Sequence, residues 1–252
     1  MPRQAPSRPA LPLIGDPPSD PARPLSFKTV SLRRSFFSYA KVQAWVAPLI
    51  RNRSFQLRRP CVLAARYLDV GCGRNHHVGF AHLDYLWHPG VDVCWDIARG
   101  LPFADGAFKG VFSQHCLEHF SLGPALAQLR EMRRVLAPGG TARIVVPDGE
   151  LYLRAYFAQL TGAAEPRFPY QDADGFSGIR TPILSVNRIF FVDRDSPFGH
   201  RTIYDCALLS ALMLEAGFTS VAKCRYGEGR DPQLMVDSPD RRVESLYLEG
   251  SA

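Results

Sequence analysis

Carboxylates and glycines stand where short apolar runs of this chain end. The run Tyr67–Val70 is followed by the loop Gly71–Gly73, and Asp69 precedes the end of the run. Glycines let a backbone approach a ligand closely, and a carboxylate can hold an amino-acid ammonium group. A dinucleotide site would need a third glycine three residues after Gly73, where His76 stands. The loop therefore favours a cofactor without a pyrophosphate.

Two more acids follow the next apolar runs. Asp84 ends the segment Phe80–Asp84, where a carboxylate could accept hydrogen bonds from two ribose hydroxyls. Asp96 follows the run Val91–Trp95 and could accept from an adenine amino group, with Ile97 against the ring. Carboxyl ends of parallel strands meet at one edge of a sheet, where such folds bind cofactors. The spacing predicts a nucleoside-binding site there.

Taken together, these motifs resemble a known enzyme family. The resembling segments are LDVGCG at 68–73, LD at 83–84, WDI at 95–97, LPFADGAF at 101–108, HCLEHF at 115–120 and REMRRVLAPGG at 130–140. They are similar to the class I S-adenosylmethionine-dependent methyltransferases of the methyltransferase type 11 group, in a compact form with a short first crossover. The resemblance implies S-adenosyl-L-methionine as cofactor. It implies these cofactor-binding residues: Asp69, Gly71, Cys72, Gly73, Asp84, Asp96, Ile97 and His115.

The elements that must position these residues alternate between strand and helix. Helices are predicted from Pro124 to the Gly139–Gly140 pair, over Leu151–Leu160, and over Tyr204–Ala216 with Asp205 as N-cap. The connection Arg74–Gly79 is too short for a helix and predicts a turn. We predict an α/β fold with a Rossmann-like, doubly wound, seven-stranded sheet of the class I methyltransferase type, mostly parallel with an antiparallel edge strand.

Composition divides the 252 residues into three parts. Residues 1–25 predict a disordered Pro-rich tail, and residues 26–65 a basic helical arm. Residues 66–252 form the predicted methyltransferase domain, with an irregular insertion or lid at about 161–202. The arm would pack on the domain as a helix, or make a peripheral membrane contact through residues 33–53.

The net charge of +6 arises from the first 66 residues of the chain. Residues 1–66 hold 12 Lys and Arg against two acids, whereas residues 67–252 hold 18 against 22. The charge therefore indicates nothing about the reaction. Six scattered cysteines show no metal-ligand spacing, so we expect no metal site and a reducing, cytoplasmic location.

The acceptor is the least determined part of the prediction. We expect O- or N-methylation of a small molecule or a glycan, with His119 or His200 as candidate catalytic bases. The pair Glu118–His119 could instead anchor the start of a helix. The absence of an Asn/Asp-Pro-Pro-aromatic motif after the fourth strand disfavours a nucleic-acid acceptor. The open alternatives are an RNA-directed methyltransferase and a non-catalytic adaptor that uses the arm; the oligomeric state is also open.

Overall fold

The structure, a computed structural model, describes residues 46–169, 181–191 and 199–252. The predicted tail at 1–25 and the part of the arm before residue 46 lie outside the described residues. So do residues 33–45 of the predicted membrane contact. Within the described ranges, no helix has the length and apolar content needed to span a membrane.

A seven-stranded sheet forms the centre of the described chain. Its strands are β1 (Tyr67–Val70), β2 (Phe80–Asp84), β3 (Val93–Cys94), β4 (Phe108–Gln114), β5 (Leu136–Pro147), β6 (Ser220–Cys224) and β7 (Ser245–Ser251). The order is β3-β2-β1-β4-β5-β7-β6. The first five are parallel, and β7 runs antiparallel to both β5 and β6. The predicted fold class is confirmed, with the reversed strand one position in from the edge.

Helices cover the sheet because its strands are apolar on both faces. The helices are α1 (Pro60–Ala64), α2 (Leu122–Val135), α3 (Gly149–Leu160), α4 (Pro182–Phe191) and α5 (Cys206–Glu215). The central residues Leu68, Val111 and Ile144 are fully buried with Leu129 of α2. Asp205 caps α5 as predicted, since its side chain accepts a hydrogen bond from the Leu208 amide.

The predicted end of α2 is wrong. The sequence suggested that Gly139 and Gly140 stop this helix, but it ends at Val135 and β5 begins at once with Leu136. Leu136 pairs with Phe108, and the register then shifts before β5 pairs with Gly110. The glycines therefore lie at an irregularity inside a long strand, where glycine also occurs.

The insertion at about 161–202 contains more order than its sequence predicted. It includes α4, whose Val186 and Ile189 pack with Tyr152 of α3 and with Phe168. A ten-residue helix presents fewer than three turns of the apolar period, which is too little for the pattern to be evident.

The described end of the arm is part of the domain. Gln56 is buried, accepts a hydrogen bond from the Cys94 amide at 2.8 Å and donates one to the Ile50 carbonyl. The Asn52 side chain accepts from the Asp96 amide at 2.8 Å. These contacts fix residues 46–58 beside β3 at the edge of the sheet.

Candidate functional site

A cavity of about 380 Å³ lies at the carboxyl ends of β1, β2, β3 and β4. Seven predicted site residues line it: Gly71, Gly73, Asp84, Asp96, Ile97, His115 and His119. The short β1–β2 connection is made of turns, as predicted, so it leaves the ends of these strands open. The parallel register thus brings residues from four strand ends to one site.

Asp84 is the last residue of β2. Its Oδ2 accepts a hydrogen bond from the Gly73 amide at 2.9 Å, and its Oδ1 accepts one from the Leu86 amide at 2.8 Å. Burial raises the pKa of this carboxyl group, although the two amide donors oppose the rise. Each carboxylate oxygen has further acceptor capacity, which suits a pair of ligand hydroxyls.

Asp96 and Ile97 are held by elements on both sides. The Asp96 carboxylate caps a short 3-10 helix by accepting from the Ala98 amide. The Gln128 side chain of α2 donates to the Ile97 carbonyl at 2.8 Å. Trp95 also lines the cavity, and its ring nitrogen donates to the Gly100 carbonyl. This wall is therefore held in place by hydrogen bonds and is mostly apolar, which suits contact with a flat ring such as adenine.

The glycine loop needs glycine at both positions. Gly71 has a φ of +75°, and a Cβ there would lie 2.6 Å from the Cys116 sulfur. Gly73 has a φ of +56°, and a Cβ there would meet no other atom within 4 Å. Both residues line the cavity, so the second glycine keeps space open for a ligand.

Two predicted cofactor residues do not line this cavity. Asp69 lies within β1, in register with His82 and Phe112, and is only 2% exposed. Burial, with the nearby charge of Asp84, raises the pKa of Asp69 well above its ordinary value. Cys72 is buried and lines a neighbouring cavity of about 500 Å³. Asp69 is thus buried in the sheet and does not line the first cavity, and its contact with an ammonium group stays a prediction.

The second cavity joins the first at the glycine loop. Gly71, Gly73 and His115 line both, and Arg241 and Ser238 line only the second. Arg241 forms an ion pair with Glu244 at 2.7 Å. The second cavity therefore has both backbone amides and charged groups, whereas the first is largely apolar.

His115 links the site to β7. Its Nε2 lies 2.8 Å from the Ser245 hydroxyl, which itself donates to the Arg241 carbonyl. Ser245 is therefore the acceptor, and His115 Nε2 is the donor. The His115 backbone has a φ of +49°, a conformation uncommon for residues other than glycine.

Glu118 lies behind the histidines and is only 1% exposed. Its Oε1 is 3.4 Å from His115 Nδ1 and 4.0 Å from His200 Nε2, yet neither carboxylate oxygen has a hydrogen-bond partner of good geometry. Burial alone would raise the pKa of Glu118, but the imidazoles of His115 and His119 outweigh burial and lower it.

The two candidate bases, His119 and His200, are in contact. Their ring centroids are 5.3 Å apart, and only His119 lines the cavity. His200 Nδ1 lies 2.6 Å from the Ile189 carbonyl of α4, and burial lowers the pKa of His200. The sequence did not indicate that His200 would meet Glu118, because more than 80 residues separate them.

The cavity fits S-adenosylmethionine by the chemistry of its lining. Asp84 and Asp96 are acidic, and none of the described lining residues is Lys or Arg. Such a lining suits a sulfonium and a ribose but not a pyrophosphate. Sequence reasoning missed Tyr85, Leu86 and Phe120, which also line the cavity. Their position next to predicted site residues was the available signal.

A comparison with protein-family models supports the resemblance to methyltransferases. A family model described as a methyltransferase domain matches residues 86–144, which is under a quarter of the chain. The matched segment includes Asp96, Ile97, His115 and His119, and it confirms the resemblance on which the sequence analysis relied. No curated protein sequence matches this chain.

The solved structures that match this chain are distant from it in sequence. One is a S-adenosylmethionine-dependent methyltransferase and possible histamine N-methyltransferase from Thermotoga maritima, with 16% identity, 84% of this chain and 95% of that chain covered, and a TM-score of 0.41. Another is the Burkholderia thailandensis 1,6-didemethyltoxoflavin-N1-methyltransferase, whose structure contains S-adenosylhomocysteine. It is 17% identical, the match covers 84% of this chain and 82% of that chain, and the TM-score is 0.41. A third is a methyltransferase from Mesorhizobium loti, with 15% identity, coverage of 79% and 96%, and a TM-score of 0.41.

Proposed function

We propose that this chain, a class I S-adenosylmethionine-dependent methyltransferase by its family match and sheet order, methylates a small-molecule or glycan acceptor. S-adenosylmethionine supplies a methyl group on a positively charged sulfur, ready for in-line displacement. The observation that carries the proposal is Asp84 at the end of β2, a carboxylate that faces the cavity and is itself held by two backbone amides.

Different lining residues would bind different parts of the cofactor. Asp84 would accept hydrogen bonds from the ribose hydroxyls, and Asp96 with Ile97 would hold the adenine. Gly71 and Gly73 would lie along the methionine portion, whose charged end has room in the second cavity beside Cys72 and the glycines. Fixing both reactants in one geometry is the main contribution a protein makes to such a transfer.

The acceptor is expected at the His115–Phe120 side of the cavity. His115, His119 and Phe120 line this side, away from the adenine wall formed by Trp95 and Ile97. An imidazole and an apolar ring can enclose one small polar group and exclude water around it. This arrangement favours a small acceptor over a polymer.

Calorimetric titration with S-adenosylhomocysteine tests cofactor binding. Replacing Asp84→Asn removes the charge that two hydroxyls would meet, so we expect about 10- to 100-fold weaker binding, from about 1.5–3 kcal/mol per charge-assisted hydrogen bond. Asp105→Asn is the matched control, because Asp105 is exposed and lines neither cavity. The proposal fails if the wild-type chain does not bind at several hundred micromolar.

A second measurement separates the alternative functions. Release of S-adenosylhomocysteine can be followed while small hydroxylated compounds, amines, glycans and short RNAs are offered in turn. Turnover with the small compounds or glycans supports the proposal, and turnover with RNA alone would replace it. A chain that binds the cofactor and methylates none of these classes would instead match the adaptor.

A further inference from the structure

Three potential metal ligands converge at the wall of the cofactor cavity. Glu118, His119 and His200 each offer one oxygen or ring nitrogen, and these three atoms lie within 4.8 Å of one another. His119 lines the cavity, whereas Glu118 and His200 lie behind it. The rings of the two histidines are in contact, with their centroids 5.3 Å apart.

The orientation of His200 is fixed by the protein. A carbonyl can only accept, so the 2.6 Å contact with Ile189 places the His200 proton on Nδ1 and leaves the lone pair on Nε2. The amides of Arg201 and Thr202 both donate to the Glu118 carbonyl and hold this segment against the carboxylate. Metal-binding histidines are typically oriented in this way, by a backbone acceptor on the other ring nitrogen.

The site contains buried polar atoms that are left unpaired. Both oxygens of Glu118 and the Nδ1 of His119 are buried without a hydrogen-bond partner. A buried polar group left unpaired costs about 1–3 kcal/mol, and native proteins contain few of them. The His200 lone pair lies 4.0 Å from Glu118 Oε1, so a cation between them would satisfy both.

We propose that Glu118, His119 and His200 bind one divalent transition-metal ion. Two imidazoles and one carboxylate suit Zn²⁺, Mn²⁺ or Fe²⁺, whereas Mg²⁺ and Ca²⁺ prefer oxygen ligands alone. Bonds of about 2.0–2.2 Å require donor atoms somewhat closer than the separations in this cluster. Small rotations of Glu118 and His119, whose Oε1, Oε2 and Nδ1 atoms form no hydrogen bond, can close this gap while His200 stays in place. The sequence did not predict this site, because the cysteines show no metal-ligand spacing and His200 is too distant in the chain from Glu118 and His119 to form a motif.

The position of the ion would bear on the acceptor. Three protein ligands leave at least one coordination position open, which is the usual state of a catalytic rather than a structural metal. Because His119 lines the cavity, a bound ion would lie beside the acceptor side, where it could bind a hydroxyl oxygen. This role rests on the proposed methyl transfer, and it favours an oxygen acceptor over an amine.

Metal binding can be measured without knowing the acceptor. The full chain is freed of metal with a chelator, dialysed against Zn²⁺ or Mn²⁺, and its metal content is determined by mass spectrometry. We expect one ion per chain, bound in the micromolar range or tighter. Glu118→Gln and His200→Gln should each weaken binding more than 100-fold, since losses outside the first coordination sphere already cost about 10- to 100-fold. His76→Gln is the control, because His76 is exposed and lines neither cavity.

Measurements on the wild-type chain alone also test the metal site. Electron spin echo modulation of bound Mn²⁺ should detect two coordinated imidazole nitrogens, and a spectrum without them would overturn the assignment. Absence of binding at about 1 mM metal would do the same, as would equal binding by Glu118→Gln. Titration with S-adenosylhomocysteine is run in parallel. Loss of cofactor binding with intact metal binding would contradict the proposed function and leave the metal site standing.

Discussion

Arg143 in β5 and Glu118 beside the cavity are both charged and almost fully buried, but their surroundings are opposite. Arg143 uses all five N–H donors: it binds Asp237 through two atoms and Glu249 through one, and it donates to the carbonyls of Glu228 and Arg225. Neither oxygen of Glu118 has a partner of good geometry. The first charge is fully paired within the chain, whereas the second faces the imidazoles of His115 at 3.4 Å and His200 at 4.0 Å without a hydrogen bond of good geometry.

The comparison separates a structural charge from a functional one. A buried ion pair becomes strongly destabilising when one partner is removed, because the other charge stays unpaired. Glu118 forms no hydrogen bond of good geometry and is approached by imidazoles, so its substitution should remove less stabilisation. Burial does not distinguish Arg143 from Glu118, because both are buried. The number of their polar atoms that have hydrogen-bond partners does.

Replacing Arg143→Met should have the largest effect on folding. The change leaves Asp237 and Glu249 buried without their cation, and we expect a loss of about 3–5 kcal/mol in the free energy of unfolding. Urea unfolding measures the loss. Arg130→Met is the control, because its pair with Glu215 is exposed and should contribute under about 1 kcal/mol. Equal losses in the two variants would contradict the assignment of Arg143.

Gln56→Ala tests a neutral group that is as fully paired as Arg143. The substitution leaves the buried Cys94 amide without its acceptor and should cost about 1–3 kcal/mol. It should also weaken binding of S-adenosylhomocysteine, since residues 46–58 support Asp96. Thermal unfolding and calorimetry measure the two effects. Gln233→Ala, at an exposed glutamine, should change neither; a silent Gln56→Ala would show that this segment is dispensable.

Asp92 provides a pairing that acid can remove. Burial raises its pKa, but hydrogen bonds from His82 and Cys61 outweigh burial and lower the pKa to about 2 from the ordinary 3.8. A depressed carboxyl pKa stabilises the fold above the ordinary value, and this stability is lost as the pH falls from about 4 to about 2. Urea midpoints measured across this range should fall more steeply for the wild type than for Asp92→Asn. Parallel curves would count against this pairing.

Glu118→Gln should have the smallest effect on folding. In metal-free protein we expect the free energy of unfolding to change by less than about 1 kcal/mol, because no hydrogen bond of good geometry is lost. Added Zn²⁺ should then stabilise the wild type but not the variant, as a shift in the midpoint of thermal unfolding. A large loss without metal would show that Glu118 is structural after all.

Local patterns made the fold and most of the residues that line the cavity predictable. Asp84, Asp96 and the glycines lie at strand ends, so periodicity and turn residues place them at one edge before any coordinates are known. Asp69 also lies near a strand end, but its burial depends on the pairing of β1 with β2 and β4 on its two sides, which no local pattern shows.

The features that the sequence did not predict depend on contacts between residues distant in the chain. The proximity of His200 to Glu118 depends on the path of an insertion whose helix is too short for a clear period. The end of α2 was wrong because glycines signal a stop in general, whereas here the register of β5 against β4 decided where the strand begins.

The short β1–β2 turn has a consequence for the order of folding. All lining residues of the main cavity fall between Gly71 and Phe120, so its walls need few closures of long chain loops. The partners of Arg143 lie 82 to 106 residues further along the chain. Pulse-labelled hydrogen exchange during refolding should therefore protect the amides of β1, β2 and β4 before those of β7. A growing chain would then acquire its cofactor cavity well before the strand that completes its sheet.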